Sequence, residues 1–235
     1  MPIKHGEKMI ACLFSGGKDS TLALHKAAQQ GSKAELLLTM VPESPESYMF
    51  HKPNIMQTRL QAESLGIRQV FVETEGEKEK ELDDLESALY ANNISTLITG
   101  AIASNYQRKR IQDMCDRLGI KHVAPLWGID PAEELRELAQ NYEAIITHVA
   151  AEGLDASFLG ARIDTAMAER LAQLNRRYGI SLIFEGGEAE SFVLDAPMFS
   201  KRIVVRKAHN EIQGSVGTYV IDDAILAEKQ QRAQE

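Results

Sequence analysis

The 235-residue chain is short of several things. It has two cysteines, Cys12 and Cys115, and each falls in a segment that reads as buried. There is no CxxC pair and no Cys/His cluster at zinc spacing, so neither a disulfide scaffold nor a zinc module fits. No apolar run approaches the about 18 residues that a membrane span needs. The segment Met1–Lys8 is polar and lacks the apolar core of a signal peptide. The expected location is therefore the cytoplasm, with no membrane partner. Positive charge is also in deficit, with 26 lysines and arginines against 34 aspartates and glutamates and a net charge of −8. That balance argues against a dedicated nucleic-acid binder, which carries a basic face. No internal repeat is present.

The rest of the composition, 44% hydrophobic and 26% charged, is that of an ordinary globular protein. A chain of this length can bury roughly 70% of its unfolded surface, enough for a core without staples. The acidity is local: residues 73–86 hold eight carboxylates against two lysines. Acids at a helix start complement the macrodipole, and a partner-docking surface is the other reading of the run.

The first half alternates strand-like and helix-like segments. Strands are predicted at Met9–Phe14, Ala34–Met40, Gln69–Val72, Ile94–Thr99 and Lys121–Ala124. Helices are predicted at Ser20–Gln30, from a cap at Asn54 to Leu65, at Glu77–Asn92 and at Ser104–Leu118. In the last of these Ile111, Met114, Cys115 and Leu118 fall on one face. This alternation predicts an α/β parallel sheet covered by helices on both faces. Ligands of such sheets sit at the carboxyl ends of the strands, which puts the loops at 15–20, 41–53 and 100–105 on the functional edge. Near Pro131 the pattern shifts. Helices are predicted from Pro131 to Asn141 and at Ile163–Arg177, and strands at Glu143–Val149 and Ser181–Phe184. An antiparallel pair is predicted at Ile203–Ala208 and Val216–Ile221. The expectation is two domains, 1–129 and a smaller α+β domain at 130–235.

The segment Phe14-Ser15-Gly16-Gly17-Lys18-Asp19-Ser20 follows a predicted strand and opens a predicted helix. Gly16 and Gly17 allow a tight turn that brings backbone N–H groups to an anion. The helix N-terminus adds donors and the positive end of a dipole. Lys18 adds a point charge, and Ser15 and Ser20 add hydroxyls. The segment matches neither the Walker A pattern GxxxxGK[ST] nor GxGxxG.

Ser-Gly-Gly-Lys-Asp-Ser after the first strand resembles the pyrophosphate loop of the N-type ATP pyrophosphatases, the PP-loop superfamily. Four further segments, in this order and spacing, resemble the diphthine–ammonia ligase family. They are Glu46-Ser47-Tyr48-Met49-Phe50-His51, then Gly100-Ala101-Ile102-Ala103-Ser104-Asn105-Tyr106-Gln107-Arg108-Lys109-Arg110, then Ala124-Pro125-Leu126-Trp127-Gly128. The fourth is Glu185-Gly186-Gly187-Glu188-Ala189-Glu190-Ser191-Phe192-Val193-Leu194-Asp195-Ala196-Pro197. The likeness runs from residue 9 to about residue 200. The chain departs from it at Ala189, where an aromatic is commoner, at Ser191, where threonine is, and at Phe184, which replaces a frequent glycine.

The resemblance implies an adenine nucleotide α-hydrolase-like (Rossmann-like) ATP-binding domain and a C-terminal substrate domain. It implies that ATP and ammonium amidate diphthine on translation elongation factor 2, through an acyl-adenylate, with AMP and pyrophosphate released. It implies Mg²⁺, with Asp19 either holding the ion or capping the helix. On that reading Ser15, Gly16, Gly17, Lys18, Asp19, Ser20, Gly100, Ala101, Arg108 and Arg110 bind ATP. One arginine of Arg108-Lys109-Arg110 reaches phosphate, unless that run is only a basic helix face.

His51, Tyr106, Trp127, Glu185, Gly186, Gly187, Glu188, Glu190 and Ser191 are the candidates toward substrate. Trp127 offers cation–π recognition of the trimethylammonium group or simply a core ring. Lys18, Asp19, Glu188 and Glu190 are the catalytic candidates. Three crowded carboxylates, Glu185, Glu188 and Glu190, call for a cation or a proton-accepting role, or form an exposed acidic turn. Other PP-loop adenylating ligases, acting on corrinoid-like small molecules or on tRNA, are the alternative. The nitrogen donor is expected to be free ammonium. The oligomeric state stays open between monomer and homodimer.

Overall fold

The computed structural model describes residues 8–42, 54–75, 80–100 and 105–229, the side chains of 105–107 excepted. These residues form two compact units. One takes the described parts of Met1–Ile55 and Ile67–Ile129, the other those of Met56–Gly66 and Asp130–Glu235.

The first unit is built on five parallel strands: β1 (Met9–Leu13), β2 (Leu36–Pro42), β3 (Arg68–Thr74), β4 (Ile94–Ile98) and β5 (Lys121–Val123). Their order is β3-β2-β1-β4-β5. The chain therefore moves outward in one direction from β1 and then restarts on its other side at β4. This creates a switch point between the carboxyl ends of β1 and β4, where loops diverge and leave a crevice. Among the described residues, three helices belong to this unit: α1 (Lys18–Gln29), α3 (Lys80–Ala91) and α4 (Asn105–Leu118), with α2 (Thr58–Leu65) between them in the chain.

The face covered by α3 and α4 closes over Ala11, Leu36, Leu38, Leu97, Leu85, Leu89, Ile111, Met114 and Cys115. The helical spacing of Ile111, Met114 and Cys115 is thus the spacing of a core face, with Leu118 partly buried against it. Both cysteines are buried. Burial raises the Cys12 thiol far above its ordinary range and pushes Cys115 up to about 11, so neither is a nucleophile at neutral pH.

The second unit is a four-stranded antiparallel sheet of order β7-β6-β9-β8. Its strands are β6 (Glu143–Val149), β7 (Ala189–Asp195), β8 (Arg202–Gln213) and β9 (Val216–Ala227). Helices α5 (Pro131–Asn141) and α6 (Thr165–Tyr178) pack on each other. Asp130 caps α5 by accepting from the N–H groups of Ala132 and Glu133 at 2.9 and 3.1 Å, with Pro131 in the first turn. Asp164 caps α6 through the N–H of Met167.

Three local expectations differ from the structure. Ser181–Phe184 is a turn and not a strand: Phe184 N–H donates to Ser181 O, and Phe184 has φ 62. The strand lies further on, so Glu190 and Ser191 stand on β7 rather than in a loop. Asn54 does not cap α2; it has φ 66, and a 3₁₀ turn at Ile55–Gln57 leads into the helix.

Helix α2 belongs to the second unit although its sequence lies between β2 and β3. Its attachment is polar. Gln61 Nε2 donates to Val193 O at 2.7 Å, Ser64 Oγ to Lys201 O at 2.6 Å and Gln57 Nε2 to Ile221 O at 3.0 Å. Thr58 and Gln61 are fully buried. Burial of these groups is tolerable because backbone carbonyls of the second unit satisfy donors of Gln57, Gln61 and Ser64.

Candidate functional site

The glycine loop lies at the switch point. Its entry is pinned by two bonds to β2: Phe14 N–H donates to Leu38 O, and Thr39 Oγ1 donates to Phe14 O, both at 2.8 Å. Gly16 has φ 75, a conformation costly for any side chain larger than hydrogen. Gly17 is the N-cap of α1 and makes no side-chain cap hydrogen bond, so the positive end of the helix dipole opens onto the loop.

The two serines act on the loop itself. Ser20 Oγ donates to Gly17 O at 3.2 Å and accepts from Ser15 N–H at 3.3 Å. Ser15 Oγ lies 3.3 Å from Ser20 Oγ and, since the Ser20 proton goes to Gly17, is the donor of that pair. Lys18 is 2% exposed and ion-paired with Asp19, which is 39% exposed. A lysine this buried needs its charge matched, and the next residue in the chain supplies the match.

Gly100, at the end of β4, sits against this loop. A Cβ there would stand 2.7 Å from the Asp19 carbonyl carbon and 2.8 Å from Ser20 N. The bare glycine is what lets the β4 end approach the first turn of α1. Ala101 and His51 lie outside the described residues, and Tyr106 is known only by its backbone place in the first turn of α4.

Beyond β4 the structure assembles a cluster that only partly follows the sequence reading. The cation over Trp127 is the guanidinium of Arg108, 4.0 Å from the ring centroid. Arg110 is half-buried on the same helix. His122, on β5, carries no mark in the sequence: its Nε2 lies 2.8 Å from Thr99 Oγ1 and its Nδ1 3.0 Å from Gln112 Oε1. Burial first, and the Arg108 charge second, hold its imidazole below the ordinary range.

In the second unit, Glu188 is occupied by its own loop. One oxygen accepts from Ser181 N–H and the other from Gly186 N–H, each at 2.8 Å. A Cβ on Gly186 would come 2.9 Å from that carboxylate. Glu188 O in turn accepts from Ala150 N–H at 2.8 Å, tying the loop to the end of β6. Glu185 and Gly187 are exposed. Glu190 pairs across the sheet with His148 of β6, and His148 with Thr218 of β9, where Nδ1 and Oγ1 are 3.0 Å apart. Ser191 is paired with Ile146. The three carboxylates therefore occupy different settings: one exposed, one holding the turn, one half-buried on the sheet beside a histidine. Among the described residues no group of three or more His, Cys, Asp or Glu is arranged to hold a metal ion, and no helix is long and apolar enough to cross a membrane.

A lysine-bearing glycine loop at the switch point of a five-stranded parallel sheet, in a chain that also carries a four-stranded antiparallel unit, defines a two-unit α/β protein with a nucleotide-binding type of fold. The chain belongs to the diphthamide synthase family: residues 8–122 match its N-terminal domain and residues 130–227 its C-terminal domain. The human protein named diphthine–ammonia ligase is 33% identical over 220 residues, covering 83% of this chain and 82% of its own. The rat protein of that name is 34% identical over 219 residues, with the same coverage. A Schizosaccharomyces pombe protein of that name is 30% identical over 82% of this chain, which spans 35% of the yeast protein.

Proposed function

We propose that this chain forms the carboxamide of diphthamide. ATP activates the diphthine carboxylate on translation elongation factor 2, and ammonia displaces AMP. The single observation that carries the reading is the glycine-capped, lysine-bearing loop at the switch point, in a chain matched by both domains of the family.

The chemistry follows from the acceptor. A carboxylate is a poor acyl donor because its leaving group would be oxide. Attack of a carboxylate oxygen on the α-phosphorus of ATP expels pyrophosphate and makes that oxygen part of AMP. Ammonia then adds to the acyl carbon, AMP leaves, and one proton is released from nitrogen. The loop N–H groups and Lys18 bind the β and γ phosphates, where charge grows as pyrophosphate departs. Gly100 keeps the β4 end close to that turn. Arg108 and Arg110, on α4, are the further cations of this unit that we assign to the nucleotide.

Asp19, partly exposed beside Lys18, is the carboxylate of the loop that would hold Mg²⁺. When bound, the ion would neutralise phosphate charge. Glu190 is the carboxylate we assign to the substrate cation or to deprotonation of ammonium, with Glu188 holding the turn that presents it and Glu185, Gly186, Gly187 and Ser191 flanking it. Trp127 supports Arg108 in this scheme and is not assigned to the trimethylammonium.

The test uses elongation factor bearing diphthine with ATP, Mg²⁺ and ammonium. Release of AMP is followed together with the mass of the modified histidine. Amidation requiring every component, and a loss on the order of 100-fold or more in Lys18→Ala, is expected. AMP release without amidation would point to a different nucleophile and overturn the reading.

A further inference from the structure

We infer that His122 is a positioning residue for the nucleotide loop, acting through Thr99 and Gly100. The inference rests on the reading that the Ser15–Ser20 loop holds the phosphates of ATP.

The chain of contacts is continuous within the first unit. Thr99 is buried, and its N–H donates to Val123 O at 2.9 Å, which extends the β4–β5 pairing by one residue. Its hydroxyl meets His122 Nε2 at 2.8 Å. On the other side of the ring, Nδ1 meets Gln112 Oε1 at 3.0 Å. An amide oxygen only accepts, so Nδ1 carries the proton, Nε2 is the acceptor, and the Thr99 hydroxyl donates to it. This arrangement requires the neutral ring. Arg108 stands one helical turn before Gln112, and its guanidinium lies over Trp127, itself in the turn that follows β5. The charged groups acting on His122 are Arg108, which opposes its protonation, and Asp116, which favours it less strongly, with burial the largest influence.

The residue after Thr99 is Gly100, whose missing Cβ leaves room of only 2.7–2.9 Å to the backbone of Asp19 and Ser20. A contact this close transmits displacement, because close-packed backbone has no slack to absorb it. His122 therefore links α4 and β5 to the residue that abuts the first turn of α1. Its loss frees the Thr99 hydroxyl to turn and lets the β4 end relax away from the loop. The signature is impaired nucleotide binding without impaired ammonia use.

The experiment measures steady-state amidation with His122→Ala, Thr99→Val and Thr99→Ser, each checked for folding by thermal melting. His122→Ala and Thr99→Val are each expected to raise the KM for ATP about tenfold, in line with one lost buried hydrogen bond. The KM for ammonium is expected to stay unchanged. The double variant should be no worse than either single one, since both cut the same link. Thr99→Ser keeps the hydroxyl and should restore near wild-type behaviour. Acidification should raise the ATP KM of the wild type and not that of His122→Ala. Thr99→Val is nearly isosteric and carries the test if His122→Ala fails to fold. Wild-type ATP KM in Thr99→Val, alongside a damaged Lys18→Ala, would overturn this inference alone. Wild-type ATP use in Lys18→Ala would overturn the loop reading and this inference with it.

Discussion

The two units each carry a Gly-Gly turn, and the pair is used in opposite ways. Gly16-Gly17 makes a turn whose neighbouring side chains bind inward: Ser15 and Ser20 hold each other and Gly17 O, and Lys18 is matched by Asp19. Gly186-Gly187 makes a turn around a carboxylate, with both oxygens of Glu188 taken by backbone N–H groups of Ser181 and Gly186. The first turn leads into α1 through a glycine N-cap that makes no side-chain cap hydrogen bond. The second consumes the charge that made it conspicuous. An identical dipeptide thus opens a helix in one setting and closes around a carboxylate in the other.

The largest expected break in this comparison is Gly100→Val. Its added carbons meet the backbone of Asp19 and Ser20 and not a movable side-chain end. Overpacking against backbone costs about 1–3 kcal/mol, and here it also displaces the glycine loop. A fall in melting temperature together with loss of ATP-dependent AMP formation is expected. Normal activity at normal stability would show that the close approach has no bearing on the loop.

Next in size is the contrast between Glu188→Gln and Glu190→Gln. In Glu188→Gln the new side-chain amide would turn an N–H₂ group toward a backbone N–H and leave that donor unsatisfied, at a cost of about 1–3 kcal/mol. This substitution should therefore lower the urea midpoint, with turnover reduced only as far as the turn is disturbed. Glu190→Gln should leave the midpoint near wild type and reduce amidation. A reversed pattern, with Glu188→Gln stable and inactive and Glu190→Gln active, would reassign the chemical role to Glu188.

Much of the first unit was legible because its signals are local. Apolar strands, helical spacing such as Ile111, Met114 and Cys115, and the loop between Phe14 and Ser20 need no distant partner to be read. What escaped depends on contacts far apart in sequence. Helix α2 joins the second unit through Gln57, Gln61 and Ser64, polar residues that a hydrophobic pattern does not register. His122 is one histidine in a three-residue strand, and only the fold brings Thr99 and Gln112 to its two nitrogens. His148 is likewise unmarked in an apolar strand until Glu190 pairs beside it. Ser181–Phe184 reads as a strand from its apolar residues, yet Phe184 adopts φ 62, which sterics disfavour by roughly 1–2 kcal/mol for a side chain of this kind. That conformation explains why glycine would be comfortable at this position. The burial of the Phe184 ring offsets the cost here. Glu188 and Trp127 were legible as residues and not as roles, because a carboxylate or a ring can be occupied by the protein's own N–H groups or guanidinium.

The smallest expected effect separates the units by proton linkage. His122 is held below the ordinary imidazole value of about 6.5, by burial and then by Arg108. The unfolded chain therefore takes up this proton first. Its contribution to stability is complete above about pH 6.5 and falls as pH drops from there toward the lowered folded value. His209, on the exposed β8–β9 hairpin, is shifted the other way: Asp222 lies 3.0 Å from Nδ1 and Glu211 3.4 Å from Nε2, and both raise it. Its contribution is present below about pH 6.5 and is lost as pH rises through the raised folded value. Melting curves between about pH 5 and pH 8 should flatten on the acid side in His122→Gln and on the alkaline side in His209→Gln. The second change should be the smaller, because solvent and salt screen an exposed pair. It should also shrink in high salt, while that of His122 persists because burial is its main cause. Equal salt sensitivity in both variants would mean that His122 owes its shift to Arg108 more than to its burial between Thr99 and Gln112.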